Sequence, residues 1–214
     1  MEFRAAALLF DLDGVLADSR AVVERTWRRW AARHGLDAGP LLAVAHGRRV
    51  SDTLKAVLPH LDPAPEVAWL DAAELEDLEG VVAVPGAAAL LESLPDRRWA
   101  VVTSCSRELA ARRLAHAGLA LPPLLVTSED VTRGKPAPDG YLLGARRCGA
   151  APAACLVFED APPGIAAARA AGCPVVALGT THALAQLGGA EAVVPDLRSV
   201  TVLSGTAGLV VRIA

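Results

Sequence analysis

Ala5-Ala6-Ala7-Leu8-Leu9-Phe10-Asp11-Leu12-Asp13-Gly14 is the stretch on which the reading of this chain turns. Six apolar residues run without a break into Asp11, and Asp13 and Gly14 follow at once. A short, unbroken apolar run stopped by turn residues suits a strand buried on both faces, as in a parallel sheet. Open α/β sheets bind ligands beyond the carboxyl ends of their strands, which puts Asp11 and Asp13 where a site is expected. Residues 99–103, 154–159 and 174–178 are similar apolar runs, and helical patterns follow at 107–117 and 164–171. Residues 124–126 and 192–194 are shorter candidate strands, and 200–213 suggests a hairpin at a sheet edge. This alternation predicts an α/β fold, a doubly wound parallel sheet with a Rossmann-like core.

The alternation stops between Ser19 and Val84. Ser19 is a candidate N-cap for a helix running through Trp27 and Trp30 to His34, with its apolar residues on one face. Further helices are expected over 41–45, 51–58 and 64–78, punctuated by Pro40, Pro59, Pro63 and Pro65. The expected organisation is therefore a core of residues 1–17 and 85–214 carrying an all-helical cap, 18–84. Its hinges are expected near Ala17-Asp18 and Val84-Pro85-Gly86.

At 214 residues, with 53% hydrophobic against 21% charged, the chain can bury the core that such a fold needs. Its net charge of −3 and lack of a basic run argue against nucleic acid as partner. The doublets Arg28-Arg29, Arg48-Arg49, Arg112-Arg113 and Arg146-Arg147 read mostly as solvated helix faces. Cys105, Cys148, Cys155 and Cys173 have no metal-binding spacing and read as reduced thiols. The N-terminal apolar run is too short to span a membrane and lacks the layout of a signal peptide, so a cytoplasmic protein is expected.

Two carboxylates as close as Asp11 and Asp13 repel unless a cation lies between them, and magnesium, a hard oxygen-seeking ion, suits the position. Taken alone, D-x-D-G fits an ordinary backbone turn equally well. Three other features tip the balance. The strand at 99–103 ends in Val-Val-Thr-Ser, bringing the hydroxyls of Thr103 and Ser104 to the same sheet edge. Gly134-Lys135-Pro136 supplies a lysine after a turn, and Pro138 can start the next helix. Glu159-Asp160 closes a buried strand, which is costly unless a cation receives the pair.

With these residues in this order, the chain resembles the haloacid dehalogenase superfamily, in its phosphatase branch with a helical cap after the first motif. Asp11-x-Asp13, Thr103, Lys135 and Glu159-Asp160 match its four motifs. His46-Gly47-Arg48-Arg49, Val84-Pro85-Gly86, Gly134-Lys135-Pro136 and Phe158-Glu159-Asp160-Ala161-Pro162 look most like glycerol phosphatases and 2-deoxyglucose-6-phosphate or sugar phosphatases. The resemblance implies Asp11 as nucleophile and Asp13 as general acid and base. It implies Thr103 and the Ser104 amide as phosphoryl ligands, and Lys135 as the charge partner of Asp11. It implies Mg2+ held by Asp11, the Asp13 carbonyl and Asp160, with Glu159 acting directly or through water. The substrate class it implies is a small phosphorylated metabolite under a closing cap, which Arg49 is expected to reach from above; His46 reads as structural. Cys105 departs from the glycine or alanine usual after the second motif, and Pro163 stiffens the run after Asp160.

Three rivals remain at this level. A β-phosphoglucomutase-like mutase would use the same aspartates, but Val23 stands where such relatives carry a histidine. A carbon dehalogenase would lack Asp13. A binding protein without catalysis would have no use for the complete motif set.

Overall fold

The computed structural model describes residues 1–95, 98–205 and 208–214. In chain order the elements are β1 (Glu2–Ala5), β2 (Ala7–Phe10), β3 (Ala17–Asp18), α1 (Arg20–Arg33), α2 (Gly39–Ala45), α3 (Val50–Val57) and α4 (Pro63–Glu76). There follow β4 (Val82–Ala83), α5 (Ala87–Glu92), β5 (Trp99–Val102), α6 (Arg107–His116), β6 (Leu125–Val126) and α7 (Asp139–Arg147). The chain ends with β7 (Cys155–Glu159), α8 (Pro162–Ala170), β8 (Val175–Leu178), β9 (Ala192–Val194), β10 (Val200–Gly205) and β11 (Gly208–Ile213).

The expected parallel sheet is present, six strands in the order β6-β5-β2-β7-β8-β9. Side chains alternate across it with the period of two that a strand imposes. Leu8, Phe10, Val101 and Phe158 enter one apolar cluster, with Leu90 of α5 and Leu114 of α6. Ala7, Leu9, Val102 and Val157 enter another, with Tyr141 of α7 and Ile165 of α8. Both faces are thus covered by helices, which is why the strand sequences are apolar throughout. Phe10 stacks on Phe158 at 4.9 Å between ring centroids, and burial of each such ring contributes about 1.5–3 kcal/mol. After β2 the chain builds outward through β5 to β6, then returns to place β7 on the other side of β2. That reversal leaves a crevice at the carboxyl ends of β2, β5 and β7.

Helices α1–α4 pack on a third cluster of their own, built on Trp27, Trp30, Leu41, Leu54 and Leu70. Trp30 satisfies its buried indole by donating to Glu66 at 2.8 Å. The antiparallel pairs Ala17↔Ala83 and Asp18↔Val82 bring both ends of this helical cap side by side.

Two sequence expectations are corrected. Ser19 precedes α1 but does not cap it; its hydroxyl donates instead to Asp13 at 2.6 Å. The C-terminal hairpin forms, yet not at the edge of the main sheet. β11 pairs with both β10 and β1 in a separate three-stranded antiparallel sheet, with Glu2 opposite Arg212 and Val202 opposite Val211. The N-terminal run is consequently two strands, split at Ala6 between two sheets. Among the described residues no helix is long and apolar enough to cross a membrane.

Candidate active site

Asp11 follows β2, Thr103 follows β5, and Asp160 follows β7, so three neighbouring strands deliver three motif residues to one crevice. All three are buried. Gly14 completes the first turn with φ at +75°, and a side chain there would overlap the Asp160 carboxylate. Only glycine combines that backbone conformation with so close an approach.

Lys135 enters from the loop before α7. Its ammonium lies 2.9 Å from Asp11 Oδ1 and 2.7 Å from Glu159 Oε1. Burial opposes the charge on Lys135, but the two carboxylates outweigh it and raise its pKa above the usual lysine range. The Lys135–Glu159 contact is a directed hydrogen bond, whereas Asp11 Oδ1 receives the ammonium's charge without an aligned donor. Glu159 is fully buried and fully used. Oε1 accepts from Lys135 and from the Tyr141 hydroxyl at 2.6 Å, and Oε2 accepts from the amides of Asp160 and Ala161. In this arrangement Glu159 fixes Lys135 and the turn that carries Asp160.

Asp11, Glu159 and Asp160 each bring a carboxylate oxygen within 4.8 Å of the others. One lysine does not balance them. Burial, helped by Glu159 and Asp13 and opposed by Lys135, pushes the Asp11 carboxyl up to about 7. Burial, then Glu159 and Asp11, hold Asp160 well above the ordinary carboxylate range. Oδ1 of Asp160 is buried without a partner, and Oδ1 of Asp11 has only the unaligned Lys135 ammonium. Buried carboxylate oxygens so short of donors, within 4.8 Å of one another, fit a hard divalent cation.

In front of these carboxylates, under the cap, lies a cavity of about 250 Å³. Its core wall includes Asp11, Asp13, Ser104 and Asp160, and its cap wall includes Arg49 and Asp71. Thr103 and Lys135 line a smaller space behind it, and the Thr103 hydroxyl lies 3.2 Å from the Cys105 sulfur. Burial raises the Cys105 thiol far above its usual range, so it stays protonated and unreactive at neutral pH. Ser104 donates its hydroxyl to the Gly47 carbonyl of the cap. Arg49 lines the cavity, but its guanidinium is engaged: it holds Asp52 at 2.7 Å and donates to the carbonyls of Val131 and Thr132 in the core. His46 meets His182 edge to face at 6.0 Å, and burial depresses the pKa of each ring.

Residues 5–172 match the haloacid dehalogenase-like hydrolase family. The chain belongs to this family. It is similar to hexitol phosphatase A of Escherichia coli, 43% identical over 204 residues, covering 93% of this chain and 94% of that one. Glycerol-1-phosphate phosphohydrolase 2 of Saccharomyces cerevisiae is 34% identical over 86% of this chain and 78% of its own. Among solved structures, a hydrolase from Pseudomonas syringae superposes with a TM-score of 0.82 at 28% identity, covering 90% of this chain and 94% of that one.

For a member of the haloacid dehalogenase-like hydrolase family, the site contains residues that the motifs do not announce. Asp13 Oδ1 accepts from Ser19 and also from Arg113 Nη1 at 2.8 Å. Arg113 is almost fully buried, not solvated as its doublet suggested, and it also holds Glu74 of the cap. A signal was available: Arg113 shares the buried stripe of α6 with Leu109, Ala110 and Leu114. Tyr141, the chain's one tyrosine, was likewise unannounced.

Proposed function

We propose that the chain is a magnesium-dependent phosphomonoester hydrolase acting on sugar or polyol phosphates through an aspartyl-phosphate on Asp11. The observation that carries this reading is the buried, cation-deficient cluster of Asp11, Glu159 and Asp160, which opens through Asp11 and Asp160 into a cavity that the cap covers. Asp11 attacks phosphorus as the ester oxygen departs. Asp13 protonates that oxygen, then takes a proton from the water that splits the acyl phosphate, releasing inorganic phosphate and restoring both aspartates. Lys135 favours the anionic form of Asp11 against the pull of burial, and Thr103 with the Ser104 amide holds the phosphoryl oxygens. Asp11, the Asp13 carbonyl and Asp160 would hold magnesium, with Glu159 serving through its grip on Lys135 or through a water. When bound, magnesium would offset the charge gathered on Asp11, Asp160 and the phosphoryl group.

A cavity of about 250 Å³ suits a substrate the size of a hexose or polyol phosphate. The names of the relatives, a hexitol phosphatase and a glycerol-1-phosphate phosphohydrolase, support the same class. We take residues 18–84 to move as the lid, hinged on the β3–β4 ribbon. The free cysteines fit a reducing, cytoplasmic setting. A mutase would return phosphate to a sugar, and Val23, an apolar residue on the cavity wall, offers no group to assist it. The deciding experiment incubates enzyme and magnesium with hexitol, glycerol, 2-deoxyglucose 6- and β-glucose 1-phosphates. Free phosphate should appear with one or more of them. Conversion of β-glucose 1-phosphate into glucose 6-phosphate without free phosphate would replace hydrolysis by mutase chemistry.

Arg49 is assigned to the substrate's departing half, reached from its position on the cavity wall. Arg49→Ala is expected to lower kcat/KM for the preferred polyol or sugar phosphate by about tenfold to a thousandfold, the range of one or two charge-assisted hydrogen bonds. Activity on p-nitrophenyl phosphate should fall much less. Equal losses on both, with a lower melting temperature, would leave Arg49 only its observed role as a strap between Asp52 and the core carbonyls.

A further inference from the structure

We infer that Arg113 is a positioning residue that makes proton transfer by Asp13 depend on the seated cap, with Glu74 of α4 as its anchor. The inference rests on the phosphatase reading above. Arg113 belongs to the core, on α6, and its side chain is only 2% exposed. One arm of its guanidinium donates to Asp13 Oδ1 and the other to Glu74, itself buried. A guanidinium is rigid and forked, so it can hold two carboxylates from separate elements in fixed relation. An ion pair serving stability alone would need only Glu74.

Two consequences follow for Asp13. Its Oδ1 takes both Arg113 and the Ser19 hydroxyl, while Oδ2 has no hydrogen-bond partner among the described residues. With Oδ1 committed, Oδ2 is the oxygen that carries the proton to the departing alkoxide and later receives one from water. Both donors to Oδ1 also answer to the cap. Ser19 immediately precedes α1, and Arg113 is gripped by α4. Lifting α4 takes Glu74 from Arg113, and turning α1 takes Ser19 from Asp13. The acid is therefore aligned when the cavity is covered and free to turn when it is open. This arrangement links the need for protonation to the exclusion of bulk water.

Leaving groups that differ in their need for a proton make the test. Full-length wild type, Arg113→Lys, Glu74→Gln and Asp13→Asn are compared with magnesium on p-nitrophenyl phosphate and on the best alkyl phosphate of the wild type. A lysine keeps the buried charge but is shorter and lacks the second arm of the fork, so Arg113→Lys should lower kcat/KM on the alkyl substrate by about tenfold to a hundredfold. This ratio, compared on both substrates, reports the chemistry up to departure of the leaving group and leaves out the later hydrolysis that all substrates share. On p-nitrophenyl phosphate, whose leaving group departs without a proton, the loss should stay under about fivefold. Glu74→Gln should show the same skew at smaller size. Added to Asp13→Asn, Arg113→Lys should cost nothing further on the alkyl substrate, because both act through one carboxylate. Equal losses on the two substrates, full additivity, or a lower melting temperature without a skew would reduce Arg113 to a structural ion pair. If Arg113→Lys does not fold, the skew in Glu74→Gln decides alone, since its amide oxygen still accepts from the guanidinium. A wild type that releases phosphate alongside unskewed variants overturns this inference only. A wild type inactive on every phosphomonoester overturns the phosphatase reading and the inference with it.

Discussion

Asp11→Asn is expected to abolish turnover, by at least about 10⁴-fold on every phosphomonoester, while the fold survives. The amide is nearly the shape of the carboxylate but is a very poor nucleophile, so no acyl phosphate forms. Stability should move the other way. Asp11 is buried with its carboxyl pushed up to about 7, from an ordinary value near 3.8. The native state therefore keeps a proton that the unfolded chain has released, and metal-free stability declines as pH rises through that interval. The neutral amide escapes this decline. In EDTA at pH 8 the variant should melt no lower than wild type, and the gap between them should narrow at pH 5. Retention of activity within tenfold of wild type, after a check for deamidated protein, would take the nucleophile's role from Asp11.

The parts of this molecule that were legible beforehand share a physical cause. β2, β5 and β7 are buried on both faces, and unbroken apolar runs ending in Asp, Thr or Glu-Asp record that directly. The cap helices showed through amphipathic spacing and proline punctuation. What stayed hidden was set by partners remote in sequence. β1 is a strand because β11 lies beside it, some two hundred residues away. Ser19 stands where an N-cap should, and only the neighbouring Asp13 explains why its hydroxyl points elsewhere. Arg113 bonds Asp13 across 100 positions and Glu74 across 39. That Glu159 also accepts hydrogen bonds from Lys135, Tyr141 and two amides was not legible in its acidic pair, because those donors are set by the fold. Motif residues were visible because chemistry fixes their types; the residues that orient them were not, because many types can serve when the fold supplies the geometry.

The second large effect concerns the cation. Asp160→Asn should raise the magnesium concentration for half-maximal activity by about a hundredfold or more, the loss of one charged ligand from a small oxygen set. The same site should be readable without turnover, in melting temperatures. Burial and mutual repulsion raise both Asp160 and Asp11, so without metal their ionisation costs stability as pH climbs from about 4 toward 7 and above. A divalent cation binds the ionised carboxylates and competes with protons. Added magnesium should therefore raise the melting temperature of the wild type strongly at pH 8 and little at pH 5. In Asp160→Asn the increment at pH 8 should shrink while the metal-free protein becomes more stable, because one of the repelling charges is gone. Calcium should also stabilise yet fail to support turnover, since its looser coordination does not hold phosphorus in line with Asp11. An unchanged magnesium titration in Asp160→Asn, or a thermal increment independent of pH, would remove Asp160 from the ligand set and leave its orphaned Oδ1 to some other donor.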